Sequence, residues 1–336
     1  MKRNAILFSI LVILLLTAFF CDLFVGNAHI SIRETWAALW GSSGDAITDE
    51  IVRNYRMPKA LTSILAGASL SVAGLLMQTL FRNPLAGPDV LGVSAGAGLG
   101  VALLTMLNGS FLYPIISTLG SMAQVIAAIA GAALTLLLIL FVSSRINDSI
   151  TILVLGMIFG YVASAAVTIL QSFADPDSLK VFVTWTFGST SNVTWNKMPI
   201  MAGIVIIGIL SSFFLQKNLN SLLLGEHYAS TVGLNIKSIR IVLITITALV
   251  TGTITAFTGP IAFVGVVIPH FARALFGTVN RRIVIPATLL SGGILMIICD
   301  IISQVTISNR TLPINAVTAL FGAPMIIWIV LKRKKL

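Results

Sequence analysis

Charged residues are scarce in this sequence. Asp, Glu, Lys and Arg make up 10% of the 336 residues, whereas apolar residues make up 57%, and the mean hydropathy is +1.02. A water-soluble domain of this composition would expose a large apolar surface and aggregate. The composition therefore excludes the soluble globular classes. It predicts an all-α, polytopic membrane protein, because a helix satisfies its own backbone hydrogen bonds in lipid.

The residues that build metal sites and catalytic centres are also few. The two Cys lie within or at the end of apolar runs, and the three His are scattered at positions 29, 227 and 270. No Gly is followed by Lys, so the phosphate-binding loop GxxxxGK[ST] of ATPases is absent. We therefore expect no cofactor, no metal site and no ATP hydrolysis by this chain. A membrane-embedded enzyme, which needs clustered His, Asp or Glu, stays a weaker alternative.

About ten apolar runs are long enough to cross a bilayer. A hydrocarbon core of about 30 Å takes roughly 20 apolar residues to span as a helix. The runs cover residues 5–25, 60–81, 90–107, 115–142, 150–172, 198–215, 239–258, 262–276, 283–302 and 312–331. No Pro-, Gly- or Ser-rich linker divides them, so residues 1–336 are predicted to form a single transmembrane domain.

Basic residues are distributed unevenly between the two sides that ten spans define. With both termini inside, the inner side holds 14 of the 21 basic residues but three of the 11 acidic residues. The inner basic residues are Lys2, Arg3, Arg82, Arg145, Lys217, Lys237, Arg240, Arg273, Arg281, Arg282 and the four in the tail KRKK at 332–335. This positive-inside bias predicts cytoplasmic termini. It also explains the net charge of +10 without a nucleic-acid partner.

Tryptophan is concentrated on the other side. Four of the five Trp, at positions 36, 40, 185 and 195, fall in the outer segments 26–59 and 173–197. Trp is enriched at membrane–water interfaces, so an interfacial belt is expected there. A surface for docking a partner would have the same composition, and the sequence leaves the two possibilities open.

The stretch RNPLAGPDVLGVSAGAGLG, at residues 82–100, interrupts the apolar pattern. Pro84 and Pro88 lack an N–H and disfavour helix, so the first half is predicted to be an inner-side turn. Gly92, Gly96 and Gly100 then follow at intervals of four, which predicts one glycine face on the third span. Such a face lets another helix approach closely.

The longest inner loop, residues 216–238, reads QKNLNSLLLGEHYASTVGLNIKS. Its apolar core, Leu222 to Leu224, is too short to span, and Gly225 and Gly233 divide it into two short helical pieces. Such a segment can lie in the membrane interface as an amphipathic helix. It can also fill a groove on a soluble protein. Composition alone favours the interfacial helix.

Two further places carry polar groups beside apolar residues. In GPIAFVGVVIPHFAR, at 259–273, Pro260, Pro269, His270 and Arg273 stand next to apolar residues. This pattern is typical of the broken helices that line cavities in transporters. A metal role for His270 has no second ligand at suitable spacing, so a hydrogen-bonded histidine is favoured. Asp300, near the outer end of the ninth run, is either a functional intramembrane acid or a solvated residue at the interface.

Several of these motifs carry a family resemblance. RNPLAGPDVLGVSAGAG resembles the pattern N-P-L-A-x-P-x-x-L-G-x-x-x-G-A of the FecCD-type permeases, the membrane subunits of ABC importers for iron-siderophores, haem and cobalamin. The resemblance continues in YRMPK (55–59), AGLLMQ (73–78), LLLGEHYASTVGLN (222–235), GPIAFVGVVIPHFAR (259–273), CDI (299–301) and LPINAVTALFGAPMIIWIVLK (312–332). It covers nearly the whole chain in order.

The resemblance implies a ten-helix permease similar to that of the cobalamin importer, in the bacterial cytoplasmic membrane. It implies three protein partners: a second copy of the chain, a cytoplasmic ATPase dimer and an extracytoplasmic substrate-binding protein. It also favours the groove-filling role of the inner loop, as the element that couples to the ATPase. The coupling residues would be Leu222, Leu223, Leu224, Gly225, Glu226, Ala229 and Gly233.

Other positions take their expected roles from the same resemblance. Docking of the binding protein would use the basic residues Arg56, Lys59 and Arg310. Structural motif positions would be Asn83, Pro84, Gly92, Gly96, Pro269 and His270. One departure stands out: family members often carry Arg four residues after the ninth-span Asp, where this sequence has Gln304. An ion-coupled secondary transporter remains the alternative function, although most acidic residues lie in loops. The sequence does not identify the chelate carried.

Overall fold

The structure, a computed structural model, describes residues 2–26, 28, 30–106, 119–146, 148–304 and 311–333. In this described part the chain forms helices and turns and no strand. Its fifteen α-helices are α1 (Lys2–Phe24), α2 (Ile32–Leu39), α3 (Ala46–Glu50), α4 (Met57–Leu80), α5 (Val93–Met106), α6 (Ser121–Arg145), α7 (Ser149–Phe173), α8 (Pro176–Thr186), α9 (Met198–Phe214), α10 (Gln216–Leu223), α11 (Glu226–Thr231), α12 (Ile236–Thr258), α13 (Val264–Phe276), α14 (Arg281–Ser303) and α15 (Ile314–Arg333). A π-helix, Ile51–Arg56, joins α3 to α4.

The apolar helices correspond to the ten predicted runs. Within the described ranges, six helical segments are long and apolar enough to cross a membrane, and α9 with α10 forms a seventh if this pair, bent by 58°, is one span. Three shorter apolar helices, α5, α13 and α15, account for the remaining runs. The predicted all-α, polytopic class is therefore confirmed, with several spans shorter than the sequence pattern suggested.

Polar residues mark where several helices begin. The carboxylate of Asp148 accepts a hydrogen bond from the N–H of Thr151 at the start of α7, and Asp175 does the same for Ser178 in α8. The side chain of Asn235 likewise accepts from Ser238 at the start of α12. Such caps satisfy N–H groups that have no partner within the helix.

The chain divides into two compact units. The first comprises Met1–Val72, Ser189–Gly203 and Ile261–Leu336. In this unit α1 and α13 both pack against α14. The buried side chains of Leu11, Phe276 and Ala287 form one part of its core, and those of Leu23 and Ile297 contribute to another.

The second unit comprises Ala73–Gly188 and Ile204–Pro260. Here α5 packs against both α6 and α7, and α12 packs against α6. The contact between α5 and α6 is very close: a Cβ on Gly96 would overlap the Thr135 hydroxyl and lie 2.7 Å from the Gly131 carbonyl oxygen. A Cβ on Gly100 would overlap the Ala127 carbonyl oxygen. Only glycine permits this approach of two backbones.

The prediction that Gly92 shares this face is wrong. Gly92 lies before α5, with φ +70°, and ends the 3-10 turn Pro88–Leu91. A Cβ there would meet Gly156 and Gly160 of α7, at 2.8 Å from the Gly156 carbonyl oxygen and 2.9 Å from the Gly160 nitrogen. The spacing of four therefore reflects one helix contact at Gly96 and Gly100 and a separate turn at Gly92, where the left-handed backbone favours glycine.

Candidate functional site

The inner segment, residues 216–238, folds as two short helices, α10 and α11, separated by a turn. Gly225 makes this turn with φ +113°, a backbone conformation that side-chain-bearing residues rarely adopt. Gly233, with φ +86°, ends the second piece. The two glycines thus divide the segment as the sequence predicted, and each is required by its own backbone angle.

Leu222, Leu223 and Leu224 do not form one exposed apolar surface. Leu222 is buried within the chain, Leu223 is half-buried, and Leu224 is 65% exposed. Ala229 is also buried. Leu222 and Ala229 therefore hold the segment to its own chain, and Leu224 is the leucine of the three best placed to contact another protein.

Two exposed apolar side chains accompany Leu224, and sequence analysis missed both. Tyr228 is 47% exposed and Val232 is 56% exposed. They lie four residues apart, so they share one side of α11 and its end. We call Leu224, Tyr228 and Val232 the coupling face. The spacing of four between Tyr228 and Val232 was the sequence signal that could have identified its part on α11.

Glu226 fastens this segment to its surroundings. Its carboxylate accepts a hydrogen bond from the Ser149 hydroxyl at 2.8 Å and forms an ion pair with Arg240 at 3.5 Å. Arg240, which is 2% exposed, also donates to the carbonyl oxygen of Ile146 at 3.3 Å. One half-exposed carboxylate thus links α11 to α12 and to the first residue of α7.

Asp148, the N-cap of α7, carries a second fixed charge. The hydroxyl and backbone N–H of Thr151 donate to the Asp148 carboxylate at 2.6 and 2.8 Å. These hydrogen bonds, with a smaller contribution from Arg240, hold the pKa of Asp148 below its usual value. Asp148 is therefore charged at neutral pH and attracts the Arg240 guanidinium.

The other group of functional candidates lies in the first unit. Lys59 and Asp300 form an ion pair at 2.8 Å, and both are buried. The Thr190 hydroxyl donates to the other Asp300 oxygen at 2.7 Å. Asp300 is therefore a buried, paired carboxylate, and the alternative that it is merely solvated is wrong.

Gln304 joins a second acid to this pair. Its amide donates to Asp22 at 2.7 Å and to Asp300 at 3.4 Å, and Asp22 is 2% exposed. Asp22, Lys59, Thr190, Asp300 and Gln304 together form what we call the outer charge cluster. Sequence analysis missed Asp22 and Thr190, although an Asp inside an apolar run is by default a functional candidate.

Arg56 is buried close to this cluster and makes different bonds. Its guanidinium donates to the carbonyl oxygens of Leu23 at 2.8 Å and Ala28 at 2.7 Å. A direct contact of Arg56 or Lys59 with another protein would require these bonds to open. Arg310 lies outside the described residues. The docking role of these three basic residues stays a prediction.

An exposed basic residue lies on the same segment. Arg53 is exposed and lines a cavity of about 510 Å³ together with Asp49, Glu50 and Trp195. The Trp195 indole N–H donates to the Arg53 carbonyl oxygen at 2.8 Å and ties this part of the outer segments together. Arg53 is thus a more accessible docking candidate than Arg56.

The remaining motif positions have structural surroundings. The Asn83 side chain accepts from the N–H of Leu85 at 3.0 Å, which closes the turn that begins at Pro84. Pro269 is buried inside α13, and the adjacent His270 is half-buried. The described residues contain no group of three or more His, Cys, Asp or Glu arranged to hold a metal ion.

Comparison with known proteins gives one consistent picture. The profile of the FecCD transport family matches residues 13–332. The chain is 35% identical to the vitamin B12 import system permease protein BtuC of Serratia proteamaculans, over 96% of this chain and 93% of that protein. It is 29% identical to the hemin transport system permease protein HmuU of Yersinia pestis, over 93% and 92%. A solved structure described as an inward-facing conformation of a metal-chelate type ABC transporter matches with a TM-score of 0.84 and 27% identity, over 97% of this chain and 99% of that one.

Proposed function

The chain belongs to the FecCD transport family, and on this premise we propose that two copies of it form the translocation path of an importer for a metal chelate. The chain itself is the permease subunit of an ABC importer, a multi-pass protein of the cytoplasmic membrane. ATP hydrolysis belongs to a separate subunit. The finer proposals concern the cargo, the second copy and the residues that meet the partners.

The cargo proposed is an iron-siderophore, haem or cobalamin-type chelate. The relatives that support this class are named as importers of vitamin B12 and hemin, and the similar structure is described as a metal-chelate transporter. These molecules share a bulky organic frame around a metal ion. A path between two permease copies would offer the width that such a frame needs.

The observation that carries the coupling proposal is the geometry of the inner segment. The coupling face exposes three apolar side chains on a positively charged side of the protein, where an unpartnered apolar face is unfavourable in water. Its backbone is held by the buried Leu222 and Ala229 and by the Glu226–Arg240 pair. A firmly held short helix with an exposed apolar face suits insertion into a groove of the ATPase.

Transport by the reconstituted complex tests the function. Proteoliposomes would contain the permease, its ATPase and its binding protein, and would be loaded with ATP or with a proton or sodium gradient. We expect uptake of the chelate with ATP alone. Uptake driven by an ion gradient without ATP would contradict this function and support the secondary transporter. Titration of the binding protein with a siderophore, hemin and cobalamin identifies the cargo.

Docking on the outer side is proposed to use the bases of segment 26–59. Arg56→Glu would break buried bonds to Leu23 and Ala28 as well as any docking contact, so it does not isolate docking. Arg53→Glu changes an exposed charge and should slow association with the binding protein most at low salt, because salt screens charge steering over about 8–10 Å. Lys180→Glu, at an exposed position of α8, is the matched control. If Arg53→Glu leaves the association rate unchanged at every salt concentration, Arg53 is not part of the docking surface.

A further inference from the structure

Helix α2, in the first outer segment, has three distinct sides. Thr35 and Ala38 are fully buried against the protein, whereas Ile32 is 67% exposed and Trp36 is 50% exposed. Trp40, directly after the last helical residue, is 75% exposed. Residues four apart advance by about 40° around a helix, so Ile32 and Trp36 lie on one side. This exposed apolar side is separate from the side that packs on the protein.

The third side of α2 is charged. Glu34 is exposed and lies about 160° around the helix from Trp36 at about 100° per residue, whereas Arg33, also exposed, lies only about 60° from Trp36, beside the apolar side. The backbone N–H and the hydroxyl of Ser31 donate to the Glu34 carboxylate at 3.0 and 2.8 Å. These bonds hold the pKa of Glu34 below its usual value, so this side carries a charge at neutral pH.

The apolar side of α2 is continuous with the surface of a membrane span. The Trp36 ring lies 5.9 Å from the Phe20 ring, centroid to centroid, and Phe20 belongs to the last turns of α1. Farther along α1, Ile10, Ile13 and Leu16 are 46–62% exposed, as expected of side chains that face acyl chains. Trp36 therefore lies beside the outer end of α1.

We propose that α2 is an interfacial helix whose Ile32, Trp36 and Trp40 side chains insert at the boundary between headgroups and acyl chains of the outer leaflet. Protein, lipid and water would each meet one side of the helix. Indole rings prefer this depth because their apolar body and N–H are satisfied together. The partner of this apolar side is thus a lipid surface. Its contact with lipid would anchor the outer segment 26–59 beside α1.

Accessibility of spin labels in proteoliposomes tests the assignment. The background chain carries Cys21→Ser and Cys299→Ala and is assembled with its ATPase in phosphatidylcholine–phosphatidylglycerol bilayers. Labels are attached to Ile32→Cys, Trp36→Cys and Trp40→Cys, with Glu34→Cys as the matched control on the same helix. Oxygen partitions into acyl chains, whereas a nickel chelate stays in water. We expect the oxygen-to-nickel accessibility ratio at 32, 36 and 40 to exceed that at 34 several-fold.

Two results would overturn the proposal. Equally low ratios at all four positions would place the whole helix in water. Protection of 32, 36 and 40 from both reagents would show that a protein covers them, either the second copy or, if protection appears only on its addition, the binding protein. The labels are carried by separate variants, so the label at position 32 reports even if Trp36→Cys disturbs the fold.

A second measurement keeps the native helix nearly intact. Brominated lipids quench Trp fluorescence at the depth of the bromine atoms. The double variant Trp36→Phe with Trp40→Phe should lose a large share of the quenching by bromine atoms near the headgroups. Trp185→Phe, which removes a buried ring, is the control and should lose little. Unchanged quenching in the double variant would contradict the proposal.

Discussion

The inner segment and the outer charge cluster use charge and apolar surface in opposite ways. The inner segment exposes apolar side chains at its coupling face and keeps one half-exposed ion pair, Glu226–Arg240, to hold its position. The outer charge cluster buries the Lys59–Asp300 ion pair together with Asp22, and Thr190 and Gln304 donate hydrogen bonds to these carboxyl groups. An exposed apolar face is suited to a partner that brings its own groove. A buried ion pair such as Lys59–Asp300 is suited to fixing helices in place.

This comparison predicts that stability depends far more on the outer charge cluster. Lys59→Met would leave Asp300 buried without its cation, and breaking a buried pair in this way costs about 3–5 kcal/mol. The free energy of unfolding in detergent should fall by this amount. Lys180→Met, at an exposed lysine, should change it little.

A double variant sharpens the result for Lys59. Lys59→Met combined with Asp300→Leu removes both charges, so the loss should be smaller than for Lys59→Met alone. If the double variant loses as much free energy of unfolding as the two single variants together, Lys59 and Asp300 do not stabilise each other.

The next effect concerns packing in the second unit, where no charge is involved. Gly96→Ala places a methyl group against Thr135 and the Gly131 carbonyl, and overpacking of this kind commonly costs about 1–3 kcal/mol. Gly98→Ala is the matched control on the same helix, because its methyl group would meet only Trp185, at 3.9 Å. Thermal unfolding in detergent compares them, and equal midpoints would show that α5 and α6 do not pack this closely.

The smallest change in stability is expected at the inner segment. Glu226→Gln weakens an ion pair with one half-exposed partner, for which about 0.2–1 kcal/mol is typical. Uptake driven by ATP should nevertheless fall, because the coupling face would be held less firmly to Arg240 of α12. Lys237→Gln removes an exposed charge from the same segment as the control. Full uptake by the Glu226→Gln variant, with normal ATPase binding, would exclude this positioning role.

The sequence predicted the fold class because composition and span length are properties of the chain alone. It located the inner turn at 82–89, the two glycine breaks at Gly225 and Gly233, and the close packing at Gly96. It placed Gly92 on the wrong face, because a regular spacing does not show where a helix begins. The 3-10 turn at Pro88–Leu91 ends at Gly92 and delays α5 to Val93.

The site was harder to predict, because burial depends on contacts between residues far apart in the chain. Arg56 and Lys59 have the basic character expected of docking residues, yet their charges are satisfied by Ala28 and Asp300. Likewise, Leu222 and Leu224 look equivalent in the sequence, but Leu222 is buried and Leu224 is exposed. Only the packed structure distinguishes a residue that holds the segment to its own chain from a residue that the segment exposes to a partner.

The most direct test of the account is recovery of the ATPase by a permease with an altered coupling face. In Leu224→Asp with Tyr228→Asp, both substituted side chains are exposed in the chain, so insertion and contact with the binding protein should be retained. Val279→Asp, at an exposed valine of another inner loop, is the matched control and should recover the ATPase as the wild type does. We expect the double variant to lose ATPase recovery and uptake together. Wild-type recovery with normal uptake would contradict the assignment, and damaged insertion with the ATPase contact intact would support the interfacial helix instead.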